Sequence, residues 1–139
     1  MSLRFLLDTN LLSEPLRPSP NAKVMAKLRE HSSEIATATI VLHELLFGCN
    51  RLPHSKKRRT IEKYIKEVVQ PEIPILPYDT EAAKWHAEER ARLVAIGKTP
   101  SFADSQIAAI VTVNALILVT NNVSDYSDFN ELRIENWFE

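Results

Sequence analysis

Cysteine is almost missing from this chain: Cys49 is the only one in 139 residues, so no intramolecular disulfide can form, and the composition suits a reducing compartment. Cys49 lies in Leu45-Leu46-Phe47-Gly48-Cys49 and reads as a small buried side chain rather than a nucleophile. No apolar run approaches the roughly 18 residues of a membrane span and no signal-peptide pattern opens the chain, which sets the expectation of a cytoplasmic protein. Repeats, low-complexity tracts and linkers are absent as well. With 45% hydrophobic residues the expectation is one domain over 1–139, able to bury a core without disulfides or a structural metal. His31, His43, His54 and His86 have no metal-ligand spacing and read as packing or surface side chains.

Net charge is also nearly absent, at -1, but its distribution is uneven. Residues 51–66 hold Arg51, Lys56, Lys57, Arg58, Arg59, Lys63 and Lys66 against Glu62, a local balance of +6 that leaves -7 elsewhere. One basic flank therefore accompanies an acidic body.

The apolar stretch at 3–7 reads as a short parallel strand buried on both faces, and it stops abruptly at Asp8-Thr9-Asn10. A helical turn follows before Pro15, then an amphipathic helix at 21–31 and a second small strand at 35–38. Thr39 caps a helix to about residue 50. The next helix, carrying the basic residues, begins near Ser55 and ends before Pro71. A strand at 73–76 contains Pro74 and belongs near an edge. The longest helix opens at Asp79 and closes at Gly97, one of only two glycines. Another helix spans 101–114, residues 116–119 are the clearest strand, and 132–135 add a last edge strand. This alternation predicts an α/β fold with a mainly parallel sheet.

Two acids interrupt stripes that look made for the core. Glu44 has Ile40, Val41, Phe47 and Gly48 at its helical neighbours and no basic residue on that stripe. An unpaired buried carboxylate is costly unless protonated, hydrogen-bonded or bound to a cation. Asp104 precedes Ile107, Ala108 and Val111 in the same way, although Ser101-Phe102-Ala103-Asp104 equally fits a capping box. Asp8 and the turn Thr120-Asn121-Asn122-Val123-Ser124-Asp125 each follow a buried strand. As isolated motifs both read as turns or helix caps. In a parallel sheet, however, strand ends and the starts of following helices share one edge, so the acids can converge.

Carboxylates without a histidine or cysteine cluster make a hard, oxygen-only site suited to Mg²⁺ or Mn²⁺. Beside a basic helix, such a centre suits phosphodiester hydrolysis, with lysines and arginines holding the flanking phosphates.

Leu6-Leu7-Asp8-Thr9-Asn10, Glu44 within Thr39-Ile40-Val41-Leu42-His43-Glu44-Leu45, Asp104 within Asp104-Ser105-Gln106-Ile107-Ala108-Ala109, Leu118-Val119-Thr120-Asn121-Asn122 with Asp125-Tyr126, and the ending Leu132–Trp137 together resemble the PIN-domain ribonucleases, and among them the VapC-type toxins of prokaryotic toxin-antitoxin pairs. The resemblance covers nearly the whole chain. It implies a three-layer α/β/α sandwich around a mainly parallel sheet, Mg²⁺- or Mn²⁺-dependent endoribonuclease activity, a homodimer, and a small antitoxin that inserts into the acidic groove. By motif, Asp8, Glu44 and Asp104 carry the metal, and the hydroxyls of Thr9 and Thr120 hydrogen-bond the carboxylates. Asn122 stands where many members have an acid and Asp125 lies three residues on, so the fourth corner is open: Asn122 orienting a metal-bound water, or Asp125 binding a second metal or stabilising the turn. Arg51, Lys56, Lys57 and Arg58 are the expected phosphate contacts. Three rivals remain. One is a non-catalytic RNA- or partner-binding scaffold of the same fold. Another is a haloacid-dehalogenase-like phosphatase, which wants a second Asp where Asn10 stands. The third is a structure-specific DNase, whose helical arch, by family analogy, this chain is too short to carry.

Overall fold

A computed structural model describes residues 2–139. Strand β1 (Phe5–Leu7) is buried throughout, as a continuous Phe-Leu-Leu run requires when helices cover both faces. It is followed by α1 (Thr9–Ser13), a 3-10 turn at Glu14–Leu16, α2 (Ala22–Glu30), β2 (Ile35–Ala38) and α3 (Thr39–Asn50). Then come α4 (Lys56–Tyr64), α5 (Gln70–Glu72), β3 (Ile75–Leu76), α6 (Thr80–Ala95), α7 (Phe102–Val113), β4 (Ile117–Val119), α8 (Val123–Tyr126) and β5 (Arg133–Glu135).

The five strands form one parallel sheet in the order β3-β2-β1-β4-β5 inside a three-layer α/β/α arrangement. The expected edge positions of β3 and β5 hold. The chain starts in the middle, builds outward to β3, and then crosses back to the other side of β1. That reversal puts a topological switch point between β1 and β4, where carboxyl ends of neighbouring strands diverge and leave a crevice. Asp8 continues the β1 ladder by one bond, its N–H donating to the Val119 carbonyl at 3.0 Å. The core beneath it is built from Phe5, Leu6, Leu7, Leu11, Ile107, Ile110 and Leu118, all at most 2% exposed.

Three expectations are corrected. The basic helix does not stop before Pro71. After α4 the ladder widens into a π turn at Ile65–Val69, where the Gln70 N–H bonds the Ile65 carbonyl, and Pro71 sits in the first turn of α5. A restart of the helix tolerates proline because its missing N–H would have no partner there. Tyr64, just before the π turn, donates its hydroxyl to the Leu12 carbonyl at 2.7 Å and fastens this helix to α1. Burial raises the Tyr64 phenol to about 12. Secondly, Thr39 is the first helical residue of α3, with Ala38 at the cap and no side-chain capping bond. Thirdly, the buried stripe of α3 is Val41, Leu45 and Cys49, and Glu44 lies beside it, exposed.

The Gly97 expectation stands. Its φ of 77° is the left-handed conformation of a Schellman close, with Lys98 N–H on the Leu93 carbonyl and Gly97 N–H on Val94. No helix among the described residues is long and apolar enough to cross a membrane.

Candidate active site

Asp8 is the hub of the crevice. It sits one residue past β1 and caps α1, and only 6% of it is exposed. Oδ1 accepts the Thr9 backbone N–H at 2.8 Å, and Oδ2 accepts the Thr120 hydroxyl at 2.8 Å. Thr120 is wholly buried at the end of β4, and its hydroxyl oxygen in turn accepts the Asn122 N–H at 3.1 Å. Both threonines thus sit where hydroxyl or backbone donors can hold the acidic edge. The Thr9 hydroxyl itself reaches Glu44 instead, donating to Oε2 at 3.3 Å.

Asp104 enters from the first turn of α7. Its backbone N–H donates to the Ser101 hydroxyl at 3.1 Å, the first half of a capping box. Its carboxylate does not supply the second half. Oδ1 accepts the Tyr126 hydroxyl at 3.2 Å, and that same hydroxyl stands 3.4 Å from Asp8 Oδ2. The structure therefore resolves the two readings of Asp104 in favour of a side chain turned into the crevice.

The three acids feel one another's charge. Burial raises the ionisation of Asp8, with the neighbouring Asp104 charge adding to it and the Thr9, Thr120 and Tyr126 donors opposing it. Glu44 is likewise raised, first by desolvation and then by the charge of Asp8, with Asp104 contributing. Among the described residues none of the three pairs with a lysine or arginine. Like charges gathered without a cation, one of them buried, are an unfavourable arrangement that a bound cation relieves. Even so, among the described residues no three acidic, histidine or cysteine side chains are grouped tightly enough to form a ready-made ion cage.

Asn122 and Asp125 stay outside this cluster. Asn122 is exposed, and its contact to the site is through its backbone. Asp125 is exposed on α8, with its backbone N–H on the Asn122 carbonyl. Two contributors were not singled out by the sequence reading. Tyr126 is 1% exposed, and the only sequence signal was its place beside Asp125 after the last buried strand. Asn10 accepts the Asn121 N–H at 3.0 Å and so ties the turn after β1 to the turn after β4.

The basic flank divides by role. Lys56 and Lys57 line a groove of about 670 Å³ with Thr9, Glu44, Leu16 and Ile61, next to the acids. Arg51 lies at the exposed end of α3, with its guanidinium 5.2 Å from the centre of the Phe47 ring. Arg58 is turned inward, donating to the Leu52 carbonyl at 2.9 Å and pairing with Glu62, and it does not line this groove.

Fold and site together define a parallel-sheet α/β protein whose acidic crevice opens at the carboxyl edge of its central strands. Residues 5–131 match the family model described as PIN domain, and the chain belongs to that family. It is 33% identical to "Toxin FitB" of Neisseria gonorrhoeae over 87% of this chain and 89% of that protein. It is 28% identical to the "tRNA(fMet)-specific endonuclease VapC" of Salmonella typhimurium over 97% and 98% of the two chains. Among solved structures, FitAcB from Neisseria gonorrhoeae superposes with a TM-score of 0.88 at 30% identity, covering 97% of this chain and 99% of the other. DNA-bound VapBC from Salmonella typhimurium superposes with a TM-score of 0.83 at 26% identity, covering 97% and 98%.

Proposed function

We propose that this chain is a metal-dependent endoribonuclease, the toxin of a type II toxin-antitoxin pair. The observation that carries the reading is the unpaired acidic trio, with Asp8 buried at the switch point and coupled to Glu44 and Asp104. The names of the similar proteins, a toxin and a tRNA(fMet)-specific endonuclease, point the same way.

Asp8 and Asp104 would hold Mg²⁺ or Mn²⁺, with Glu44 completing the set from the exposed side. When bound, a divalent cation offsets the carboxylate repulsion, activates a water and neutralises charge building on the phosphate. Thr120 and the Thr9 N–H fix the Asp8 carboxylate, and Tyr126 spaces it from Asp104. Glu44 would position the metal or its water; as the water oxygen bonds phosphorus the ester P–O bond breaks, the water's proton passing to solvent and the leaving oxygen taking one up from solvent. Lys56 and Lys57 neutralise flanking phosphates, with Arg51 further along. The groove beside them has an apolar floor of Leu16, Leu45 and Ile61, suited to a segment of an antitoxin that covers the acids. The resemblance also implies a homodimer.

Incubating purified protein with single-stranded RNA tests the reading. Cleavage with Mg²⁺ or Mn²⁺, lost in chelator and in Asp8→Asn and Asp104→Asn, is expected. Equal cleavage by the variants and the wild type would sink the assignment. A binding-only scaffold is favoured by one observation, the lack of a ready-made three-ligand cage among the described residues. Under that reading, divalent ions neither stabilise the fold nor support cleavage.

A further inference from the structure

Glu44 lines two grooves, the basic one already described and a second of about 440 Å³ between α3 and α7, bounded by His43, Phe102 and Gln106. We propose that this second groove is a nucleobase pocket, in which an unstacked base next to the cleaved RNA bond stacks on Phe102. The assignment rests on the ribonuclease reading and adds to it the place where sequence preference is set.

Phe102 is the first residue of α7, two before Asp104, and 53% of it is exposed. Its ring is nevertheless fixed. His86 of α6 meets it at 4.8 Å between ring centres, tilted by 60°, and the Arg90 guanidinium lies 5.3 Å from its centroid. His86 is itself buried and anchored, its Nδ1 2.7 Å from the Tyr78 hydroxyl. A ring held rigidly from one helix while half in solvent has the makeup of a stacking platform, because little conformational freedom remains to be lost on binding. The opposite wall carries His43, itself stacked on Phe47 at 6.2 Å with an interplanar angle of 4°. Gln106 and His43 supply hydrogen-bond donors and acceptors at the mouth, and the volume falls within the range of small-molecule pockets.

The occupant follows from where the groove leads. A strand that passes over Glu44 has Lys56 and Lys57 on one side, complementary to its phosphates, and an aromatic cleft without lysine or arginine in its lining on the other. Single-stranded RNA presents those two chemistries at each nucleotide, charge on the backbone and a flat apolar face on the base.

The test compares wild type, Phe102→Ala, Phe102→Trp and Gln106→Ala, with Mn²⁺ and a pool of random single-stranded RNA, reading kcat/KM, the bases flanking each cut, the Mn²⁺ concentration for half activity and the sedimentation coefficient. Phe102→Ala is expected to lower kcat/KM roughly 5- to 100-fold, as loss of one stacked base would, and to flatten the base preference at an unchanged Mn²⁺ requirement. Phe102→Trp restores both, and Gln106→Ala shifts the preference. Unchanged kcat/KM and unchanged preference in Phe102→Ala would overturn the assignment. So would a drop in Phe102→Ala from a larger species to a monomer, which makes this face a contact between copies of the chain. If the wild type cleaves no RNA, the ribonuclease reading itself falls, and the pocket with it.

Discussion

Tyr126 and Asp104 meet hydroxyl to carboxylate at 3.2 Å, although 22 residues separate them, and the same hydroxyl stands 3.4 Å from Asp8. One phenolic proton therefore lies between two acids. Burial, together with both negative charges, drives the ionisation of Tyr126 far upward, so it remains a donor at every physiological pH. It sets the spacing of the two carboxylates and offsets part of their repulsion.

Tyr126→Phe keeps the ring and removes that proton. The variant is expected to fold and to need about 10- to 100-fold more Mn²⁺ for half-maximal activity, the usual consequence of freeing a ligand's outer partner. A metal titration of activity reads the effect.

Thr120→Val removes the donor to Asp8 Oδ2 and leaves the Asn122 N–H without its acceptor. Because Thr120 is fully buried, the loss is expected to cost about 1–3 kcal/mol of stability. Urea denaturation measures it, with Thr120→Ser, which keeps the hydroxyl, falling well short of that cost.

Asp8 links the site to stability. Its ionisation lies above the ordinary 3.8 in the folded chain, so the folded state binds the proton more tightly than the unfolded state. That contribution is complete below pH 3.8 and is lost as pH rises through the folded value, leaving a penalty at pH 7. Asp8→Asn is therefore expected to melt higher than wild type at pH 7 without divalent ions. Calorimetry at falling pH should show the two curves converging near pH 3.8, and a wild type that melts higher at pH 7 contradicts the reading.

Glu89 has the opposite sign. The Arg92 guanidinium bonds it at 2.7 and 2.9 Å and the Asn130 N–H adds a third donor, holding its carboxyl below the ordinary 4.5. Arg92 also reaches the Asp128 carbonyl at 2.8 Å, so the pair pins the loop after Tyr126 to α6. Glu89→Gln is expected to cost about 1–2 kcal/mol at pH 7, a charged hydrogen bond discounted for the solvent around Arg92. The gap to wild type should close as pH falls through 4.5 and below.

Sequence alone located the hub because a parallel strand buried on both faces shows as an unbroken apolar run, and Phe5-Leu6-Leu7 ends at the one residue that the sheet edge exposes to a crevice. Glu44 was found for a partly mistaken reason. Helix α3 is apolar on most sides, so periodicity could not tell the buried Val41, Leu45 and Cys49 stripe from the neighbouring one that carries Glu44. Asp104 was balanced between cap and crevice, because the Ser101 bond is local and the deciding contact to Tyr126 is not. The Tyr126 role and the Asn10 tie across 111 residues depend on strand order, which no window along the chain contains. Pro71 misled because a π turn upstream is invisible to a helix-period pattern.

The most direct measurement is an anomalous difference map from crystals soaked in Mn²⁺. A peak bonded to carboxylate oxygens of both Asp8 and Asp104, and lost in Asp104→Asn, is the expected result. A crevice without a peak at saturating Mn²⁺, or a peak bonded elsewhere, contradicts the assignment of these acids as the metal centre.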